Sequence, residues 1–136
     1  MSVRKKTYYI LLPLLLIACL SFSTLIAGRT KQIAVIHYRM EGCFGGEQNT
    51  LIVYQKDNQT IARFRVEDEP WAEYEMDREA FNHFLKELVS LESHMGCTNV
   101  EYYTVFIGNE IIRKRNGSCG WKEFDKFKRI LLESPL

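Results

Sequence analysis

The chain has 136 residues, of which 46% are hydrophobic and 26% charged, and its formal net charge is +1. This length suits a single domain, and the mixed composition excludes a disordered chain or a collagen-like repeat. The near-neutral charge gives no electrostatic argument for nucleic-acid binding. Four cysteines are too few for a fold built mainly by disulfides. We therefore expect one small folded domain with no nucleic-acid partner.

The first 28 residues have the pattern of a signal peptide or a membrane anchor. Three basic residues at 4–6 precede an uncharged stretch of 21 residues over 8–28. A basic cluster followed by an apolar run is typical of secretory signals, and about 20 apolar residues also suffice to span a bilayer. Both interpretations put residues 30–136 on the outer side of a membrane.

The segment Leu16, Ile17, Ala18 and Cys19 resembles the lipobox of bacterial lipoproteins, in which the cysteine is lipidated and becomes the mature N-terminus. With the Gly-Cys-Phe-Gly turn that follows the first predicted strand, this start is similar to that of small uncharacterised exported bacterial proteins. The resemblance implies lipidation of Cys19 and no particular activity. Because residues 20–27 are still apolar, an uncleaved anchor and ordinary cleavage after residues 21–23 remain open. We expect a membrane-anchored protein of the cell envelope, facing the periplasm or the cell surface, with secretion as the minor alternative.

The first half of the domain predicts strands joined by turns. Residues 32–40 are rich in β-branched and aromatic side chains, and apolar residues on both faces favour a central strand. Three glycines around Cys43 predict a break, after which 50–66 has the pattern of a hairpin with a turn at 57–59. A short further strand is expected over 71–76.

The second half predicts two helices around a hairpin. Asp77 is a suitable N-cap and Gly96 a suitable C′ residue for a helix near 78–95. Gly108-Asn109 predicts a type II′ turn between strands at 100–107 and 110–115, and aromatic residues over 121–131 indicate a second amphipathic helix. The order predicts a single two-layer α+β domain over 30–136. Its sheet is mainly antiparallel with five or six strands, and both helices lie on one face.

Cysteine positions predict a disulfide across the second hairpin. Cross-strand partners around Gly108-Asn109 place Cys97 opposite Gly120, next to Cys119, and a small bulge brings the two sulfurs together. This bridge ties the end of the first helix to the start of the second. Cys43 is then a free thiol, a buried side chain or the true partner of Cys119.

Cysteine and histidine side chains also suggest an alternative function. His94 and Cys97 have an H-x₂-C spacing, and with His37 and Cys43 they form a set of the kind that holds Zn²⁺ tetrahedrally. Cys43, in a glycine-flanked turn six residues from His37, has the weaker pattern of a nucleophile and its base. A small Cys/His hydrolase or metal-binding protein is therefore the alternative, while our main expectation has no catalytic residue, metal or cofactor.

The charge layout favours a binding function. Residues 67–79 contain seven acids around Trp71 and Tyr74, whereas residues 113–129 contain seven bases. Aromatic side chains anchor interfaces and surrounding charges select the partner, so we predict a surface for a basic protein formed by Trp71, Tyr74, Glu73 and Glu75. In the other interpretation these acids pair with arginines that alternation puts on one open sheet face, namely Arg39, Arg63, Arg65, Arg113 and Arg115.

These patterns together predict an exported, membrane-tethered and non-enzymatic binding protein of the cell envelope. Inhibitors and immunity-type factors are two classes of such binding proteins.

Overall fold

The computed structural model describes residues 30–43, 45–93 and 96–133, so the predicted signal or anchor at 1–28, with Cys19, lies outside the described residues. Within the described ranges, no helix has the length and apolar character needed to cross a bilayer. The elements are β1 (Thr30–Gly42), β2 (Gly45–Lys56), β3 (Gln59–Val66), β4 (Ala72–Glu75), α1 (Arg78–Ser90), β5 (Val100–Ile107), β6 (Glu110–Asn116) and α2 (Glu123–Leu132).

The six strands form one antiparallel sheet in the order β4-β3-β2-β1-β5-β6. The predicted α+β class is confirmed, and β1 lies inside the sheet, as its two apolar faces indicated. β2 begins earlier than predicted, because Gly42 pairs directly with Gly45. Gly45 has a φ of +121°, a conformation that a residue without a Cβ adopts at little cost.

Both helices pack on the same face of the sheet. Each contributes three side chains to one buried cluster, and the rings of Phe84 and Phe127 stack with centroids 4.5 Å apart. Fully burying one such side chain stabilises the fold by roughly 1.5–3 kcal/mol. The buried helix residues are Phe81, Phe84, Leu88, Phe124, Phe127 and Leu131.

The start of α1 agrees with the sequence and its end does not. Asp77 caps the helix, and its Oδ1 accepts a hydrogen bond of 3.0 Å from the Glu79 N–H. The predicted end near residue 95 is wrong, because Leu91 already leaves the helix with a ψ of 122°. Lys114 Nζ donates a 3.1 Å hydrogen bond to the Leu91 carbonyl oxygen, which holds this exit against β6.

The second helix is shorter than its aromatic pattern suggested. It begins at Glu123, and Trp121 lies before it with its ring edge-on to Tyr103 at 5.5 Å. Ile130, near the end of this helix, is 52% exposed. The buried stripe of α2 is therefore Phe124, Phe127 and Leu131 alone.

A disulfide joins Cys97 to Cys119, as predicted, with Cα atoms 5.4 Å apart. The pairing of Glu101 with Asn116 continues towards the two cysteines, and the Cys97 N–H donates to the Gly117 carbonyl at 2.8 Å. Disulfides persist in oxidising compartments and are rare in the cytosol, so the bridge indicates a non-cytoplasmic location. Cys43 is exposed and unbridged.

Candidate functional site

Both described helices lie on the core side, so no helix within 30–43, 45–93 and 96–133 covers the opposite face of the sheet; we call this the open face. Its side chains are those of alternate residues in each strand, and they are half-buried or exposed. They include His37 and Arg39 of β1, Thr50 and Ile52 of β2, Arg63 and Arg65 of β3, Glu73 of β4, Tyr102, Thr104 and Phe106 of β5, and Ile111, Arg113 and Arg115 of β6.

The open face contains five arginines, and two of them have acidic partners. Arg39 lies 3.0 Å from the Glu41 carboxylate, and Arg63 Nε lies 3.1 Å from Glu73 Oε1. Both pairs are substantially exposed, so solvent screens their attraction. Among the residues that the structure describes, the other three arginines form no ion pair. Unpaired positive charge therefore belongs to Arg65, Arg113 and Arg115.

Aromatic rings hold four of these arginines in place. The guanidinium carbons of Arg63 and Arg65 lie 5.3 and 4.7 Å from the centre of the Trp71 ring. Those of Arg39 and Arg115 lie 5.1 and 5.9 Å from the centre of the Tyr102 ring. Cation–π attraction at such distances is worth about 0.5–1 kcal/mol at exposed sites. The open face thus carries two arginine–aromatic stacks, one on each half.

Two shallow depressions lie on the open face. The central one has a volume of about 430 Å³ and is lined by His37, Tyr38, Arg39, Gln48, Asn49, Thr50, Tyr102 and Thr104. The other, of about 520 Å³, is lined by Thr30, Gln32, Ile52, Tyr54, Lys56, Arg63 and Glu73. His37 Nδ1 lies 3.2 Å from Thr50 Oγ1, and Phe106 packs edge-on against the same imidazole at 5.6 Å. Polar and aromatic groups therefore line the central depression.

The four predicted partner-binding residues do not form one patch. Trp71 lies on the open face under two arginines, whereas Tyr74 is partly buried against the core on the other side of the sheet. Glu73 pairs with Arg63, and Glu75 accepts a 3.3 Å hydrogen bond from Gln59 Nε2. The structure therefore brings Trp71 and Glu73 together with arginines.

The alternative cysteine and histidine set is dispersed. Cys97 is bonded to Cys119 in the disulfide and has no free thiolate for a metal. His94 lies outside the described residues, and Cys43 is exposed at the turn after β1. Over 30–43, 45–93 and 96–133, no group of three or more His, Cys, Asp or Glu is placed to hold a metal ion. Of this set, His37 is the residue that belongs to the open face.

Tyr102 is the residue of the site that our sequence analysis missed. It lies opposite Arg39 on one neighbouring strand and opposite Arg115 on the other, which is why its ring contacts both. The signal was present in β5, whose alternation puts Tyr102, Thr104 and Phe106 on one side. Recognising it required knowing that β5 lies between β1 and β6.

The chain matches no protein-family model and no curated protein. Its function is therefore argued from the geometry of the open face.

Proposed function

We propose that this protein is an exported, membrane-tethered and non-enzymatic binding protein of the cell envelope. The observation that carries the proposal is the open face, a sheet surface that neither described helix covers and on which aromatic rings hold arginines in place. Tryptophan, tyrosine and arginine are the residues that most often dominate binding energy at protein interfaces. An inhibitor or an immunity-type factor would use such a face to cover its target.

Two features support the envelope location. The disulfide is suited to an oxidising compartment, and the basic and apolar N-terminus has the pattern of an export signal. Lipidation at Cys19 should be visible in the intact mass of the native protein as loss of residues 1–18 and addition of a lipid. An unprocessed chain in the membrane fraction would favour an uncleaved anchor instead.

Site-specific photo-crosslinking in intact cells tests the binding function. Ile111 on the open face is 53% exposed and Ile130 on α2 is 52% exposed, so the same photoreactive amino acid at either position is equally accessible. We expect one defined envelope protein to be crosslinked from position 111 and not from position 130. Equal crosslinking from both positions, or none from position 111, would overturn the proposal.

A further inference from the structure

We infer that the open face binds an acidic segment of a protein partner at its β1-β5-β6 half. This inference rests on the proposed function and specifies the chemistry of the partner. The site consists of the central depression of about 430 Å³ and the group that we call the arginine cluster, formed by Arg39, Tyr102, Arg113 and Arg115.

The arginine cluster has a spacing that suits several carboxylates. Arg39, Tyr102 and Arg115 lie directly opposite one another on three adjacent strands, so the row spans about 10 Å. Arg113 is two residues from Arg115 on the same strand and the same face, a separation of about 7 Å. Alternate side chains of an extended segment are also about 7 Å apart. Acids at alternate positions of such a segment would therefore meet successive arginines.

The charges of the cluster are available to a ligand. Among the described residues, Arg113 and Arg115 have no acidic partner. Arg113 is exposed and Arg115 half-buried, so a carboxylate that reaches their guanidiniums would form charge-assisted hydrogen bonds with them. The Tyr102 ring already holds the guanidiniums of Arg39 and Arg115, which reduces the side-chain entropy lost on binding.

The central depression extends the site with hydrogen-bond donors. Arg39 and Tyr102 belong to both the depression and the cluster, and Gln48, Thr50 and Thr104 provide further polar groups. An acidic side chain that enters it would find a guanidinium, an amide and hydroxyl groups within one concave surface. The depression would therefore fix the position of the partner's acidic side chain, which charge attraction alone does not do.

The acidic residues of the turn after β3 would orient the partner's acidic segment on the open face. Glu67, Asp68 and Glu69 are exposed, and the Glu67 N–H bonds to the Gln48 carbonyl at 2.7 Å, on the side of Arg39 that faces β2 and β3. Like charges repel, so an acidic partner is directed towards β5 and β6. Glu73 pairs with Arg63 on the β3-β4 half and Glu41 pairs with Arg39, which leaves Arg113 and Arg115 as the arginines of the β1-β5-β6 half without an acidic partner among the described residues.

Other occupants fit less well. A second copy bound through the same face would place one arginine cluster against another, and like charges in contact are unfavourable. A planar lipid surface cannot follow a sheet whose strands twist by about 20–25° per step. A nucleic acid suits a strongly basic domain, and this chain has a net charge of +1.

Titration of the purified full chain with labelled peptides tests the inference. The probes are a fluorescent peptide of alternating Glu and Thr and its Lys–Thr counterpart. The test variant is Arg113→Gln with Arg115→Gln, and the matched control is Arg78→Gln with Arg129→Gln on the exposed surfaces of the helices. We expect the Glu–Thr peptide alone to bind, about tenfold more weakly to the test variant and within about twofold to the control. Circular dichroism melts confirm that both variants fold.

Each other outcome is informative. Equal binding of the acidic peptide to the test and control variants would remove the arginine cluster as its site. If oligothymidylate or phosphatidylglycerol vesicles bind more tightly than the peptide, with the same sensitivity to the test variant, the partner is a nucleic acid or a lipid and the inference fails. Failure of the peptide to bind, with crosslinking from position 111 intact, overturns this inference and leaves the proposed function standing. Failure of both experiments overturns both.

Discussion

Asn116 Nδ2 donates a 2.6 Å hydrogen bond to Glu101 Oε2, directly across the β5–β6 register. The same carboxylate accepts hydrogen bonds from the hydroxyls of Tyr103 at 3.0 Å and Tyr38 at 3.4 Å. Asn116 Oδ1 in turn accepts a 3.0 Å hydrogen bond from the Ser118 N–H. Because Asn116 is 1% exposed, these bonds replace those that water would make. They link the core side of the sheet to the loop that carries Cys119.

Replacing Asn116 with Asp should destabilise the protein strongly. The new carboxylate would face Glu101 in a buried position, and we expect a loss of about 2–4 kcal/mol in the free energy of unfolding. Urea denaturation of the full chain measures this loss. Asn109→Asp, the same substitution in the exposed turn of the same hairpin, is the control and should change stability by less than about 0.5 kcal/mol. Similar midpoints for the two variants would contradict the role assigned to the Asn116–Glu101 bond.

Local signals were sufficient to predict most of the fold. Gly108 has a φ of +58° and Asn109 is not among the residues with positive φ, which agrees with the predicted type II′ turn and explains why β5 was placed correctly. The predicted end of α1 was wrong, and the carbonyl at the observed end, that of Leu91, is bonded by Lys114, which is distant in sequence. No periodicity within the helix carries that information.

The candidate site could be predicted only in part for the same reason. Alternation alone put five arginines on one face, as the sheet register shows. Strand order determines which of these arginines have an acidic residue opposite them on a neighbouring strand. Arg63 is neutralised because β4 lies beside β3 and brings Glu73 opposite, whereas β6 is an edge strand and Arg113 has no acidic residue across from it.

The network around Glu101 predicts sensitivity to alkaline pH. Burial, followed by the nearby Glu101 carboxylate, raises the pKa of Tyr103 and of Tyr38 above the ordinary tyrosine value. The unfolded chain releases these protons near pH 10, whereas the folded protein keeps them. The contribution of these two tyrosines to stability should therefore be constant below about pH 10 and fall as the pH rises further.

Absorbance at 295 nm, followed together with circular dichroism, measures this alkaline transition. We expect part of the tyrosine signal to appear only as the fold is lost, and Tyr103→Phe to weaken the dependence of stability on pH in the alkaline range. Complete ionisation of all tyrosines near pH 10, with an intact dichroism spectrum, would contradict the prediction.

Removal of the disulfide should cost a substantial share of stability. The bridge joins residues separated by 22 positions, and closing a loop of that size contributes roughly 3 kcal/mol in the chain-entropy model. We expect Cys97→Ala with Cys119→Ala to lower the free energy of unfolding by about this amount. Cys43→Ala is the control, because this thiol is exposed and unbridged. Peptide mapping without reduction should link the Cys97 and Cys119 peptides; alkylation of both in freshly isolated protein would remove the bridge.

Replacing Trp71 with Ala should affect binding more than folding. Trp71 is half-buried on the open face and does not belong to the buried core cluster, so we expect a loss of about 1 kcal/mol in the free energy of unfolding as its stack with Arg63 and Arg65 disappears. Phe81→Ala, at a residue with 0% exposure, should cost about 3–5 kcal/mol.

The effect of Trp71→Ala on the partner separates the two roles of this side chain. Trp71 lies outside the arginine cluster, on the β3–β4 half of the open face, so this variant tests whether the rest of the partner also covers that half. In that case affinity for the envelope protein captured from position 111 should weaken by roughly 2 kcal/mol, as is typical when an aromatic anchor is truncated. Equilibrium titration of the full chain with that protein, alongside urea denaturation, gives both quantities for one variant. If Trp71→Ala unfolds the protein as readily as Phe81→Ala, while the remaining folded fraction binds normally, then Trp71 is structural. The arginines above it would then stabilise the β3–β4 edge and would not form part of an interface.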